Sequence, residues 1–319
     1  MAAASSAPVA TPPAPPDPPG GPLLDGDALR QLERLGLVQL DAVVSGFAGT
    51  HTGPRGASGI EFADYRRYTP GDDLRRIDWS VYARLREAFV RTAPGEARTG
   101  IALLVDVSAS MDWAGDGDPP LPTKLLHAQR VAAMLAAVAL LRADTARLAA
   151  LSDGAARSGP DVSGPALVGQ VLDAMRAQEP GRTTGLAAAV RAQRLADRPA
   201  DLAVLLTDAL VDDADLDGAL QELAASARRA TLVHVWAPRE RRPAVTGAVE
   251  LVDAETGERR VVDVSEEEAA RQAARFDARA AELRERCRVR GVTYVPAPTD
   301  VPALEVLFGA ARQAGLVGD

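Results

Sequence analysis

One cysteine, three histidines and aromatics at 4% of 319 residues exclude several chemistries at once. With Cys287 alone there is no internal disulfide, and His51, His127 and His234 are too scattered to suggest a zinc site. Lysine is nearly missing. Lys124 is the only one, and with the abundant alanine this reads as the base composition of a GC-rich gene. Long apolar runs are absent too: the longest, Val131 to Leu141, lies between Arg130 and Arg142 and is too short to cross a bilayer. Nor is there an excess of positive charge. The 44 acidic and 36 basic residues give a net charge of −8, which disfavours nucleic acid and anionic membranes as partners. The first residues lack the charged start and leucine-rich centre of a secretory leader. A soluble cytoplasmic protein, with no nucleic-acid partner and no membrane insertion, is expected.

What is present is 47% hydrophobic and 25% charged, the mix of a globular core. Residues 1–24 are Ala, Pro, Ser and Gly, a composition that predicts a disordered tail. Residues 25–98 read as a small, partly β N-terminal element. It opens with a short helix at 27–35, whose leucines recur at i, i+3 and i+6. A glycine-rich loop follows, then a dense block at 61–79 and a strand near 87–92. From Thr99 strands alternate with helices. Strands are expected at 101–107, 147–152, 201–207, 230–236 and 292–295. Helices are expected at 124–142, 167–176, 186–195, 216–229, 265–290 and 302–313, with a hairpin inserted at about 249–264. This alternation predicts an α/β fold over 99–319: a doubly wound, mostly parallel, Rossmann-like sheet.

The chemistry concentrates at Asp106-Val-Ser-Ala-Ser110, directly after the first strand of that sheet. A carboxylate and two hydroxyls two residues apart offer hard oxygens to one point, which suits Mg²⁺ or Mn²⁺. Thr184 precedes a helix start, and Asp208 ends another buried strand. Singly they read equally well as a helix cap and a helix-start acid. Jointly, at a switch point of a sheet ordered 3-2-1-4-5-6, they complete a metal set of Asp106, Ser108, Ser110, Thr184 and Asp208. Thr183 remains an alternative to Thr184. No P-loop, G-x-S-x-G elbow or dinucleotide fingerprint occurs, so no catalytic residue and no organic cofactor are assigned. The alternative is a Mg²⁺-dependent hydrolase or phosphatase with Asp106 as nucleophile. It lacks the second acid two residues on, where Ser108 stands. Asp112, Asp116 and Asp118 read as a solvated acidic loop, and Cys287, His127 and His234 as packing positions. In the 61–79 block, Tyr65, Tyr68 and Trp79 are candidates for a partner surface, while the interleaved acids and arginines favour internal pairing.

Asp106-x-Ser-x-Ser110, the Thr184 loop and Asp208 resemble the metal-ion-dependent adhesion site of von Willebrand factor type A domains. More closely, the chain resembles the bacterial family known as domain of unknown function 58. The resemblance rests on Tyr65-Arg-Arg-Tyr-Thr-Pro-Gly-Asp-Asp-Leu-Arg-Arg-Ile-Asp-Trp79, on Leu103-Leu-Val-Asp-Val-Ser-Ala-Ser-Met111 and on Leu251-Val-Asp-Ala-Glu-Thr-Gly-Glu258. It implies a von Willebrand factor type A-like domain that binds protein through a divalent cation and is not an enzyme. It also implies a partner, a MoxR-type AAA ATPase or its client, in assembly, chaperone-like or stress pathways. One departure stands out: Gly185 occupies a position where von Willebrand-type domains commonly carry Asp or Asn.

Overall fold

The computed structural model describes residues 15–37, 65–67, 89–91, 99–115, 120–183, 185–196 and 199–318. The chain forms two compact units, one of Met1–Val38 with Thr99–Asp319 and one of Gln39–Arg98.

Six strands make the central sheet of the first unit: β1 Gly100–Asp106, β2 Thr145–Ser152, β3 Ala155–Ser163, β4 Ala200–Thr207, β5 Ala227–Trp236 and β6 Val292–Pro298. Their spatial order is β6-β5-β4-β1-β2-β3, the doubly wound order that the alternation predicts. All neighbours are parallel except β2 and β3. The apolar strands read as continuous runs because both faces of the sheet are covered. Ile101, Leu103 and Val105 of β1 enter one core with helices α1 (Lys124–Leu141) and α2 (Val168–Arg176). Leu104 enters the other core with α3 (Leu186–Ala196), α4 (Asp213–Ser226) and α5 (Glu266–Val289). The chain therefore leaves β1 towards one face and β4 towards the other. That divergence makes the carboxyl ends of these two adjacent strands the switch point of the sheet, the place where such sheets bind ligands.

The apolar run Val131–Leu141 is only the second half of α1. The whole 18-residue helix is long and apolar enough to cross a membrane by length and composition, and 89% of it is buried inside the fold. Its first half buries Lys124, His127, Gln129 and Arg130 as well.

Arg130 explains a correction to the expected tail. From residue 15 onward the segment is laid against the α/β unit instead of being disordered. Leu23 is buried, and Asp17 Oδ2 accepts from the Ala303 amide at 2.9 Å. The Arg130 guanidinium donates to the carbonyls of Pro22 and Pro18 at 3.2 and 2.6 Å. A cation on a buried helix needs acceptors, and a proline-rich backbone supplies free carbonyls because its nitrogens donate nothing. The helix Gly26–Leu32, capped by Asp25, also belongs to this unit, as does Gly36–Leu37, which pairs antiparallel with Val317–Gly318. The boundary expected at 24/25 thus falls after Val38.

β3 is invisible to the apolar pattern. It is a mostly exposed antiparallel edge strand containing Gly159-Pro160, composition that edges tolerate and central strands do not. The two-residue turn before it, Asp153-Gly154, has positive φ at both positions (51° and 69°), the conformation of a tight hairpin. A second hairpin, Gly247–Val252 with Arg259–Val264, stands apart from the central sheet. In the Gln39–Arg98 unit, Tyr65–Arg67 pairs antiparallel with Phe89–Arg91. Of the candidate partner surface, Tyr65 lies on that strand, while Tyr68 and Trp79 lie outside the described residues.

Candidate functional site

The site is built first from Asp106, the last residue of β1, which is fully buried. Its Oδ1 accepts from the Ser108 amide at 2.9 Å, so the chain folds back into a tight loop. Its Oδ2 accepts from the Thr207 hydroxyl of the adjacent strand β4 at 2.7 Å. Thr207 in turn accepts from the Ala209 amide at 3.0 Å, which leaves no part of this clamp free to swing. Burial, reinforced by the neighbouring Asp208 carboxylate, pushes the Asp106 carboxyl up to about 7 against the opposing pull of the Thr207 and Ser108 hydrogen bonds. Ser108 is fully buried, Ser110 is half-buried, and their hydroxyl oxygens lie 3.1 Å apart.

Asp208 follows β4 at the same edge. Its Oδ1 accepts from the Leu210 amide at 3.1 Å, across Ala209, whose φ of 55° is strained for a residue with a Cβ. Its Oδ2 accepts from Lys124 Nζ at 2.7 Å. The Lys124 ammonium also binds Glu240 and lies 5.9 Å from the centre of the Trp113 ring. Glu240 sits on a short helix, Pro238–Arg241, just beyond β5, and its Oε2 accepts from the Ala237 amide at 2.9 Å. Desolvation works against the Lys124 charge, but Asp208 and Glu240 outweigh it and hold the ammonium above its ordinary range. Burial raises the Glu240 carboxyl, and Lys124 opposes the rise.

Thr184 lies outside the described residues, but its loop is anchored on both sides. The Gly181 amide donates to the carbonyl of Val107, next to Asp106. A Cβ at Gly181 would stand 2.6 Å from Ser152 Cβ, so nothing larger fits. The Asp153 amide donates to the Thr183 carbonyl at 2.8 Å, and the Thr183 amide and hydroxyl return bonds to Asp153 Oδ1 at 3.1 and 3.2 Å. Thr183 is exposed and its hydroxyl is engaged there. Gly185, the departure noted above, has φ of 52°, and a Cβ would approach the Gly154 backbone to 3.0 Å. The first two amides of α3 are capped by the Asp215 carboxylate of α4, at 2.7 and 2.9 Å.

Thus Asp106, Ser108 and Ser110 come together and Asp208 stands beside them. Among the described residues no three His, Cys, Asp or Glu side chains converge on one point. The donor set is hydroxyl-rich and hard, and it fits a small divalent cation. Bonds of about 2.1 Å at right angles place neighbouring ligand oxygens about 3 Å apart, close to the Ser108–Ser110 separation. Three members of the site escaped sequence reasoning: Thr207, Lys124 and Glu240. The signal for Lys124 was its uniqueness, which base composition does not explain for a lysine bonded to two acids. Cys287 and His234 are packing residues. Burial pushes the Cys287 thiol up to about 12, and His234 is held at 2.8 Å by Tyr294 beside Trp236 and Phe276. Asp112 is exposed, and Asp116 and Asp118 lie outside the described residues.

The family model described as "Protein of unknown function DUF58" matches residues 64–286. An uncharacterized protein of Mycobacterium tuberculosis is 33% identical over 242 residues, covering 72% of this chain and 71% of its own. An uncharacterized protein of Mycobacterium bovis matches to the same extent, 33% over 242 residues. Among solved structures, the conserved hypothetical protein BatB from Bacteroides thetaiotaomicron aligns over 68% of this chain and 98% of its own. That alignment has 14% identity and a TM-score of 0.40. The SpRpn10 VWA domain aligns over 66% of this chain and 94% of its own, at 13% identity and a TM-score of 0.37.

Proposed function

This chain belongs to the family of unknown function DUF58, and on that footing we propose that it is a non-enzymatic protein-binding module whose docking point is a divalent cation. The cation is Mg²⁺ or Mn²⁺, held by Asp106, Ser108 and Ser110, with Thr184 and Asp208 completing the set. The observation that carries the reading is the placement of two serine hydroxyls 3.1 Å apart beside a buried carboxylate, at the switch point of the sheet. When bound, the cation supplies a positive charge that few formal negative charges offset, and it attracts a carboxylate of a protein partner. The chain's own residues do the rest. Thr207 and the Ser108 amide fix the Asp106 carboxylate, and the Gly181–Val107 bond anchors the Thr184 loop to the same edge. The partner we propose is a MoxR-type AAA ATPase or its client.

The hydrolase alternative finds little support here. Phosphatase chemistry on Asp106 would need a second acid two residues on, and that position is Ser108. The Ser108 hydroxyl, standing where a general acid is needed, faces Ser110.

The test is Mn²⁺ binding by electron resonance or calorimetry, for the wild type and Asp106→Ala. Binding is expected only in the wild type, and equal binding by both would sink the reading. A purified MoxR-type ATPase should then bind in Mg²⁺ and release in EDTA, with Asp106→Ala as weak as the chelated wild type.

A further inference from the structure

Lys124 is one lysine among 36 basic residues, and its side chain is 1% exposed. It lies at the start of α1, 84 residues from Asp208 and 116 from Glu240, and the fold joins all three at the carboxyl edge of the sheet. Asp208 Oδ1 is engaged by the Leu210 amide and Oδ2 by Lys124. A divalent cation that recruits Asp208 therefore meets a positive charge already seated on that carboxylate. Like charges on one carboxylate repel strongly in a buried site, so one of them must give way. Glu240 is placed to receive the displaced ammonium. Its Oε2 is fixed by the Ala237 amide at 2.9 Å, its carbonyl accepts from Gln272 Nε2 at 3.1 Å, and it already binds Lys124.

We propose that Lys124 is a tethered resident cation that holds Asp208 when no divalent ion is bound and shifts wholly onto Glu240 when one enters. On this account the Lys124–Glu240 pair sets the cation affinity of the site and regulates it. The inference rests on the metal reading above. The side-chain chemistry supports a lysine in this role. An ammonium is a compact charge on a flexible stem and can slide between two carboxylates, whereas a guanidinium is a rigid fork committed to one geometry. Every other basic residue of the chain is an arginine, yet here, between two acids, a lysine stands. Asp208 and Glu240 share one ammonium, and Asp106 stands beside Asp208 through Thr207, so acidic groups outnumber basic ones where a divalent cation would enter.

The experiment is a Mn²⁺ titration of the full chain, read by electron resonance, with circular dichroism checking the fold of each variant. Lys124→Met should bind Mn²⁺ at least tenfold more tightly than the wild type, because the resident competitor is gone. Glu240→Gln should bind at least threefold more weakly, because the ammonium loses its alternative seat and the site one negative charge. The double variant Lys124→Met/Glu240→Gln removes one basic and one acidic group together and should return to within threefold of the wild type. If Lys124→Met alone does not fold, the weaker binding of Glu240→Gln and its recovery in the double variant decide the matter. Wild-type binding with no gain in Lys124→Met or the double variant over Glu240→Gln overturns this inference and leaves the metal reading standing. No Mn²⁺ binding by any of the chains overturns both.

Discussion

The two longest helices handle charge in opposite ways. Sixteen of the eighteen residues of α1 are buried, including Lys124, His127 and Arg130. In α5 only Ala269, Leu283 and Cys287 of twenty-four are buried, and its arginines pair with nearby acids in solvent. Arg271 meets Glu267 and Glu268, Arg286 meets Glu282, and Arg288 meets Glu285. Both helices are rich in alanine, yet a charge on α1 is buried and must find its partners inside the fold. A charge on α5 meets its partners at the surface, some within one turn and others, such as Arg279 with Asp213 and Arg286 with Asp217, across to α4. What a charged residue does therefore depends on how deeply it and its partners are buried, more than on its type.

The comparison is sharpest at Lys124. Lys124→Met leaves Asp208 and Glu240 buried without their counter-ion and should lower unfolding stability by about 3–5 kcal/mol, measured by urea denaturation. A loss no larger than that of a surface arginine would break the contrast.

His127 tests the same contrast through pH. Burial depresses its folded pKa to about 3, and neither ring nitrogen has a hydrogen-bond partner among the described residues. The unfolded chain takes up the proton near pH 6.5, so stability is complete above that value and falls with pH until about 3. At pH 4.5 this site alone should cost about 2–3 kcal/mol relative to neutral pH. His127→Leu should lose correspondingly less on acidification, and parallel curves for the two proteins would refute the assignment.

The smallest effect is expected on α5. Arg271→Ala should leave the urea midpoint within error, and any difference should vanish in 1 M salt, because exposed pairs are screened.

The same distinction governs what the amino-acid sequence reveals. β1 and β4 are legible because two-sided burial writes an unbroken apolar run, and Asp106-x-Ser-x-Ser110 is legible because its three donors lie within five residues. The capping of α5 by Ser265 is equally local, since the serine accepts from the Glu268 amide. β3 is not legible by hydropathy, because an edge strand with Gly159-Pro160 has no buried face to advertise, although the Asp153-Gly154 turn was a local sign of it. Lys124 with Glu240 is illegible for a different reason: partners 116 residues apart leave no pattern in a window of any ordinary length. Residues 15–24 fail similarly, since their composition conceals that Arg130, over a hundred residues away, needs their carbonyls.

The backbone contact between Gly154 and Gly185 has a practical consequence for anyone recombining members of this family. The tip of the edge hairpin and the loop bearing Thr184 touch main chain to main chain, and the Asp153 carboxylate ties Thr183 from the same tip. The two segments are thus a matched pair of parts, like a key blank and its ward. A chimaera that imports a loop with Asp or Asn at position 185 must import a reshaped hairpin tip with it, or the graft will lift off its support. Crossover points in a shuffled library belong outside residues 152–186, so that both halves always travel from the same parent.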